Sequence, residues 1–508
     1  MRALSLPQKI QRRMSNMGQA NSQVYDVGAA PSAVALMVVL IGGMAIFALF
    51  LSGLPAYMLL LPFALCLAVA IVRSTGFAVI AFTVIIYMNA SAVLANSHGI
   101  RILGDLLAVL MIVAASYHYL SGKRIDQVIV PLLACSVYLA SLAATALYAR
   151  DPGAVLIKAL GSAKICAVTV LLIALIHSMK QFHKMCVAIV VAAMLMSTLT
   201  IVQYLYTGYS HDFAGFAIAS VQHVSGKMDG WRPSGPLTDP NFYAQILVIA
   251  LPLALQIMIS GATRSYAIFG MVASVIIMTA LLLTFSRGGL LGAAASLLVL
   301  LFINRHRITR KHMMIAVLAG GVGLIAMPSH YLDRFNAGLS SLKQVSTGGI
   351  GKDAAISGRA SELLAAVYVV EKYPLLGVGY GEFKSYYQEV SIARGLMARG
   401  SDRETHSLYL EVLSERGIVG FLFFSTLMIL TVASVLKTLS YLQRQRRVAA
   451  ANAVGAWGAA IAGYLATSMF LHEGYAQYPW LLILTALALP TLAWDPDYER
   501  KLRGRARA

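Results

Sequence analysis

Long runs of apolar residues, separated by short polar segments, occupy most of the chain. A helix that crosses a lipid bilayer needs about 20 predominantly apolar residues. Fourteen runs are near that length, at residues 33–51, 54–72, 76–95, 102–120, 127–149, 155–178, 185–206, 241–260, 266–285, 288–303, 313–328, 417–439, 448–471 and 478–494. The pattern predicts an all-α polytopic membrane protein with about 14 transmembrane helices.

The composition agrees with this prediction, because 59% of the 508 residues are hydrophobic and only 12% are charged. Soluble globular proteins contain about 25% charged residues, so the composition excludes a soluble enzyme. In the 508 residues, no group of His, Cys and carboxylate side chains has the spacing of metal ligands. We therefore expect neither a metal nor another cofactor.

The charges are distributed unevenly about the predicted spans. Of the 40 Lys and Arg residues, 23 lie in alternate connections and in the two tails, together with only five of the 21 acidic residues. Cytoplasmic segments of membrane proteins carry such a basic excess, so the sequence predicts that both termini are cytoplasmic. The net charge of +19 is then explained by topology and by attraction to anionic membrane lipids. A nucleic-acid partner is not expected.

Two connections on the opposite side of the membrane are long. We expect a cytoplasmic tail (1–32), transmembrane helices (33–206), a short periplasmic loop (207–240), central transmembrane helices (241–328), a large periplasmic loop (329–416), C-terminal transmembrane helices (417–494) and a basic cytoplasmic tail (495–508). Loops this long are usually functional or disordered. Helical patterns at Gly358–Tyr373, before Pro374, and at Thr405–Arg416, before Gly417, predict an ordered helical cap.

Several basic residues are candidates for phosphate binding at or within the membrane. Arg232 lies in a rigid Pro- and Gly-rich segment before the span at 241, and Arg287 lies in a Ser-Arg-Gly-Gly turn between two spans. A guanidinium group fits phosphate oxygens with its planar set of donors. The alternative is that either arginine extends to the lipid headgroups. Lys158 and Lys164 lie inside a predicted span, where a charge is costly and usually functional.

His406 precedes an apolar helix in the large loop, and its pattern predicts a position in the first turn of that helix. Histidine is the most common general base, since its usual pKa lies nearest to neutral pH. A structural or merely solvated role for this side chain is the alternative.

In their order along the chain, these segments resemble the O-antigen ligase and polysaccharide polymerase superfamily of bacterial inner-membrane proteins. The resemblance extends from about residue 200 to about residue 425. Its motifs run from Arg232 to Asn241, from Ser286 to Gly289, from Ser357 to Arg359, from Pro374 to Gly381, and from His406 through Tyr409 to Glu411. Asn241, Arg359 and Tyr409 are therefore secondary candidates for the site.

The resemblance implies a metal-independent, inverting glycosyltransferase. The donor would be a glycan on undecaprenyl pyrophosphate, used at the periplasmic face of the inner membrane. It implies that Arg232 and Arg287 bind the pyrophosphate and that His406 is catalytic. The acceptor would be a second lipid-linked glycan in a polymerase, which we favour, or lipid A-core in a ligase. A chain-length regulator or a flippase is a further expected partner.

A function of another class is a transporter, such as a flippase for lipid-linked oligosaccharides. Such a protein also has many spans and basic residues that contact phosphate. The predicted spans contain few charges and the two halves of the chain show no symmetry, which favours the transfer enzyme.

Overall fold

A computed structural model describes residues 68–221, 231–261, 263–305, 354–396 and 403–494, and these residues are mainly helical. The helices are α1 (Thr75–Tyr87), α2 (Ala90–His98), α3 (Leu103–Leu120), α4 (Ile129–Ala144), α5 (Pro152–Ala174), α6 (Met179–Val202), α7 (Pro240–Ser260), α8 (Arg264–Leu283), α9 (Arg287–Asn304), α10 (Ala354–Lys372), α11 (Phe383–Ala393), α12 (Leu408–Arg444), α13 (Val448–Thr467) and α14 (Gln477–Ala493). Short 3-10 turns precede and follow α4, a π-helical turn follows α6, and two strands are β1 (Ile218–Val221) and β2 (Trp231–Gly235).

The described part of the chain contains nine helices that are long and apolar enough to cross a membrane, and ten if the bent pair α1–α2 forms one span. The shorter α14 is also apolar, with 17 residues. This supports the prediction of a helical, multi-pass membrane protein. The predicted runs at 33–51 and 313–328 and most of the run at 54–72 lie outside the described residues, so the total of about 14 spans stays a prediction.

The run at 76–95 was expected to form one continuous helix, but it is divided into α1 and α2, which are bent by 49°. The division lies at Asn89, whose φ of 55° is left-handed. The Asn89 side chain donates to the Pro236 carbonyl at 3.4 Å and accepts from Gln477 at 3.2 Å. Contacts with two distant segments therefore hold the break.

Helix α7 is buried along most of its length, and α8, α9 and α13 pack around it. Pro240 occupies its first turn, and Asp239 caps it by accepting a hydrogen bond from the Asn241 amide at 2.6 Å. A Cβ atom at Gly292 of α9 would collide with Thr467 of α13. Small residues at such contacts let membrane helices approach closely. The N-terminal end of α7 is therefore surrounded by its neighbours.

The connection before α7 is the exception to the all-α expectation. Strands β1 and β2 form an antiparallel pair in which Ser220 lies opposite Arg232. Gly235 ends β2 with a left-handed φ of 58°, and a Cβ atom there would collide with the ring of Tyr243. The strand pair thus leads directly into α7 and positions Arg232 beside it.

The region predicted as a cap contains α10 and α11, which pack through a small apolar core that includes Ala365, Val369, Phe383 and Tyr387. Helix α10 corresponds to the predicted helix at Gly358–Tyr373, although it begins at Ala354. The outward position of the segment in the large loop stays a prediction.

The second helix predicted in this loop starts later than expected, at Leu408, because His406 has a left-handed φ of 48°. Gly417 was expected to end the helix, but it forms a break inside α12 with φ 61° and ψ −165°. Beyond the break, the Ile418 amide donates to the Pro374 carbonyl at 2.8 Å. The backbone amides that follow the break in α12 thus donate hydrogen bonds to the α10–α11 connection. These bonds hold the connection against α12.

Candidate active site

Arg232 is buried, with 6% of its surface exposed. Its Nε donates to the Thr284 carbonyl at 2.8 Å, and its Nη2 donates to Oδ1 of Asn241 at 3.1 Å. The side chain therefore connects β2 with the start of α7 and the end of α8. The structure brings two of the predicted site residues, Arg232 and Asn241, into direct contact.

Arg287 begins α9 three residues after Thr284, so its backbone lies close to the group that binds Arg232. Ser286 caps this helix by accepting from the Gly289 amide at 3.2 Å. A Cβ atom at Gly288 would lie 3.3 Å from Phe470, which places the turn against the α13–α14 connection. Arg287 is half-buried, and the N-terminal end of a helix favours anions.

His406 lies in the short segment before α12, and 24% of its side chain is exposed. Its Nε2 is 3.5 Å from Oε2 of Glu362 in α10. Its ring packs edge-on against His472, with centroids 5.6 Å apart, and His472 packs in turn against Phe242, at 5.1 Å. Because Phe242 follows Asn241, the predicted histidine and the predicted arginines lie around the same end of α7.

The surroundings of His406 lower its pKa to about 4, so the imidazole is neutral at pH 7. Burial is the main cause, the positive charge of Arg359 and the neighbouring His472 act in the same direction, and Asp239 and Glu404 act against them. A neutral imidazole can accept a proton, as a general base must. Arg359, another predicted site residue, therefore acts on His406 through its charge.

A second layer of ionic contacts lies behind this group. Arg403 Nε is 4.0 Å from Oε1 of Glu362, and Lys384 Nζ is 2.7 Å from Oε1 of Glu404. The same oxygen of Glu404 is 4.0 Å from Nε2 of His472. The two carboxylates thus hold charges from α11 and from the segment before α12 beside the histidine pair.

A buried ionic network joins α5, α12 and the α13–α14 connection. Arg416 donates to Glu473 at 3.0 Å and also to the hydroxyl of Tyr138. The Glu473 amide donates to Glu411 at 2.6 Å, and Lys158 Nζ lies 3.9 Å from the other oxygen of Glu411. Lys158, a predicted candidate, therefore belongs to this network.

Tyr380, in the connection between α10 and α11, lies over the same network. Lys158 is 4.4 Å from the centre of its ring, and the hydroxyl of Tyr380 is 2.9 Å from that of Ser162. The network thus joins the α10–α11 segment to the membrane helices through aromatic and ionic contacts.

Two other predicted candidates, Tyr409 and Lys164, have different surroundings. Tyr409 donates to the Leu465 carbonyl at 2.8 Å and packs against Phe424, so it joins α12 to α13. Lys164 is exposed on α5 and forms no ion pair with the described residues. Their roles at the site stay predictions.

The sequence did not single out four residues that the structure places at or beside the site, Glu362, His472, Glu473 and Arg416. Glu362 follows Arg359 by three residues and so shares its helix face. His472 and Glu473 form a polar pair in a short connection between two apolar runs. This polar pair is the sequence feature that could have indicated His472 and Glu473 as site residues.

Residues 272–425 match the family described as O-Antigen ligase. The match confirms the resemblance to the ligase and polymerase superfamily, and it supports a membrane glycosyltransferase of that general type. The matched residues include Arg287, Arg359 and His406, whereas Arg232 and Asn241 precede them. A search among curated proteins found no match.

Proposed function

We propose that the protein transfers a glycan from undecaprenyl pyrophosphate to an acceptor hydroxyl at the periplasmic face of a bacterial inner membrane, and that its product is a polysaccharide. The observation that carries this proposal is the arrangement of two arginines and a neutral histidine around one end of α7. Arg232 and Arg287 would bind the pyrophosphate, and His406 would act as the base. Both termini would be cytoplasmic.

The proposed reaction is an inverting displacement without a metal. A sugar on a polyprenyl pyrophosphate is already activated, so the enzyme must orient two substrates and stabilise the leaving group. The acceptor oxygen attacks the anomeric carbon while the bond to the pyrophosphate oxygen breaks. His406 takes the proton of the acceptor, and the arginines offset the charge that develops on the pyrophosphate.

Polymerisation is favoured over ligation by the compensated charges of the α10–α11 segment. Arg150 and Glu389 pair at 2.8 Å, and Lys384 and Glu404 pair at 2.7 Å. A surface on which opposite charges are paired offers hydrogen-bonding groups to a glycan. It has no strong net electrostatic field that would hold a charged glycan in place. This suits a growing, lipid-linked chain that must move after each addition. A second lipid-linked glycan would be the acceptor, in place of lipid A-core, and a chain-length regulator would be a suitable partner.

The first test is transfer by the purified protein in vesicles that contain an undecaprenyl-pyrophosphate oligosaccharide. We expect longer lipid-linked glycans together with free undecaprenyl pyrophosphate. Movement of the donor across the bilayer without a new glycosidic bond would instead identify a flippase.

The second test separates the two acceptors in cells that lack the gene. A missing polymerase leaves single repeat units on the lipid carrier and removes long polysaccharide. Polysaccharide of normal length that is not attached to lipid A-core would identify a ligase and contradict the proposal.

A further inference from the structure

The two ring nitrogens of His406 have different surroundings. Nε2 lies 3.5 Å from a carboxylate oxygen of Glu362, whose side chain is only 1% exposed. Nδ1 is buried and has no hydrogen-bond partner among the described residues. A histidine nitrogen that faces a carboxylate carries the proton, and the other nitrogen is then the base. The geometry therefore distinguishes the two tautomers.

We infer that Glu362 is a positioning residue that holds His406 as the Nε2–H tautomer, so that Nδ1 accepts the proton of the acceptor hydroxyl. This inference rests on the proposed function. It assigns the base to one atom and gives a role to a carboxylate that the sequence analysis did not select.

The backbone supports a fixed orientation of the His406 ring. The left-handed φ of His406 is uncommon for a residue other than glycine, and such conformations occur at functional sites. The Ser407 amide donates to the Thr405 hydroxyl at 3.4 Å, and that hydroxyl donates to the Ser407 carbonyl at 3.0 Å. These bonds hold the turn that directs the ring towards Glu362.

Glu362 is held from its own side as well. Its helix, α10, packs against α12, and its second oxygen lies 4.0 Å from Arg403. Four segments contribute the charged and titratable groups around His406. Helix α10 contributes Glu362 and Arg359, and the segment before α12 contributes Arg403 and Glu404. The other two groups are His472, between α13 and α14, and Asp239, before α7. The positive charge of Arg403 therefore lies on the side of Glu362 away from the His406 contact, at the other carboxylate oxygen.

His406 and Glu362 would act together in the transfer step. As the acceptor oxygen bonds to the anomeric carbon, its proton moves to Nδ1, and the electrons of the breaking bond leave with the pyrophosphate. The imidazole is then protonated on both nitrogens, and Glu362 stabilises its positive charge through Nε2–H. For histidines that bind metal ions, a partner that orients the ring contributes about 10- to 100-fold to affinity or activity, and we take the same range for Glu362.

The first experiment compares Glu362→Gln with Glu371→Gln, an exposed carboxylate on the same helix. We expect Glu362→Gln to lower kcat by about 10- to 100-fold, with donor affinity and thermal stability unchanged. In a His406→Ala background the same change should cost nothing further. Wild-type kcat in Glu362→Gln, or a loss that adds to that of His406→Ala, would overturn the inference.

The second experiment does not depend on turnover. Spectra of protein with ¹⁵N-labelled histidine should show His406 protonated on Nε2, with its signal identified by loss in His406→Ala. Glu362→Gln should mix the two tautomers, and Glu371→Gln should not. A proton on Nδ1 in the wild type would overturn the inference even if transfer occurs. Lack of transfer with the expected spectrum would instead contradict the proposed function.

Discussion

The protonation state of His406 makes the pH dependence of transfer a strong test of its role. Its pKa is lowered to about 4, mainly by burial and also by the charge of Arg359, whereas an unperturbed histidine has a pKa of about 6.5. A histidine acts as a general base only when its imidazole is neutral, so protonation at low pH stops the reaction. We therefore expect activity to persist as the pH falls through 6.5 and to be lost only near the lowered pKa.

The lowered pKa and the ordinary pKa of histidine predict different transfer rates at a pH that is easily used in the assay. At about pH 5.5, an ordinary histidine would be about nine-tenths protonated, and the rate would be about tenfold below its plateau. With the lowered pKa, less than about one-tenth of His406 is protonated at that pH, and the rate stays near its plateau. A tenfold difference is well within the range of an initial-rate assay.

The assay measures kcat/KM for transfer between about pH 3.5 and pH 8, so that it includes the lowered pKa, and this parameter reports the free enzyme. Arg359→Gln removes a positive charge that lowers the pKa of His406, so its profile should shift to higher pH. Glu371→Gln, on the same helix but exposed, should leave the profile unchanged. An apparent pKa near 6.5 in the wild type would refute this reasoning.

Further predictions concern topology, donor binding and the buried network. A cysteine at Gly226 should react with an impermeant thiol reagent in spheroplasts and one at Ser440 should not, and equal labelling would contradict the orientation. Arg287→Ala should weaken donor binding and transfer. Arg287→Lys should recover only part of both, because an ammonium group keeps the charge but lacks the planar set of donors. Wild-type donor binding in Arg287→Ala would show that the side chain only reaches the lipid headgroups. Arg416→Met should lower the free energy of unfolding by about 3–5 kcal/mol, since it leaves the charge of Glu473 buried. Adding Glu473→Gln should recover part of that loss in a denaturation assay, and additive losses would refute the pairing.

The sequence predicted individual helices well where their ends carry local signals. The run at 241–260 became α7, from Pro240 to Ser260, because Asp239 caps it and Gly261 follows in a left-handed conformation. The break at Asn89 has no such signal, since the contacts that hold it come from Pro236 and Gln477. Short motifs could not reveal a break that depends on partners so distant in the chain.

The sequence offered candidate residues for the site but could not show how they are arranged. Arg232, Arg287 and His406 were selected from separate segments, and only the packing around α7 shows that they lie near one another. Glu362 reaches His406 because α10 packs against α12. That contact depends on tertiary structure, and no spacing in the sequence encodes it.

The most direct test of the central claim compares donor binding and single-turnover transfer in wild-type protein and His406→Ala. The control is His211→Ala, which removes an exposed histidine. The control should behave as the wild type does, whereas His406→Ala should bind the undecaprenyl-pyrophosphate donor normally and transfer about 10²- to 10⁴-fold more slowly. Transfer by His406→Ala at the wild-type rate, or a loss of donor affinity as large as the loss of turnover, would contradict the assignment of His406 as the base.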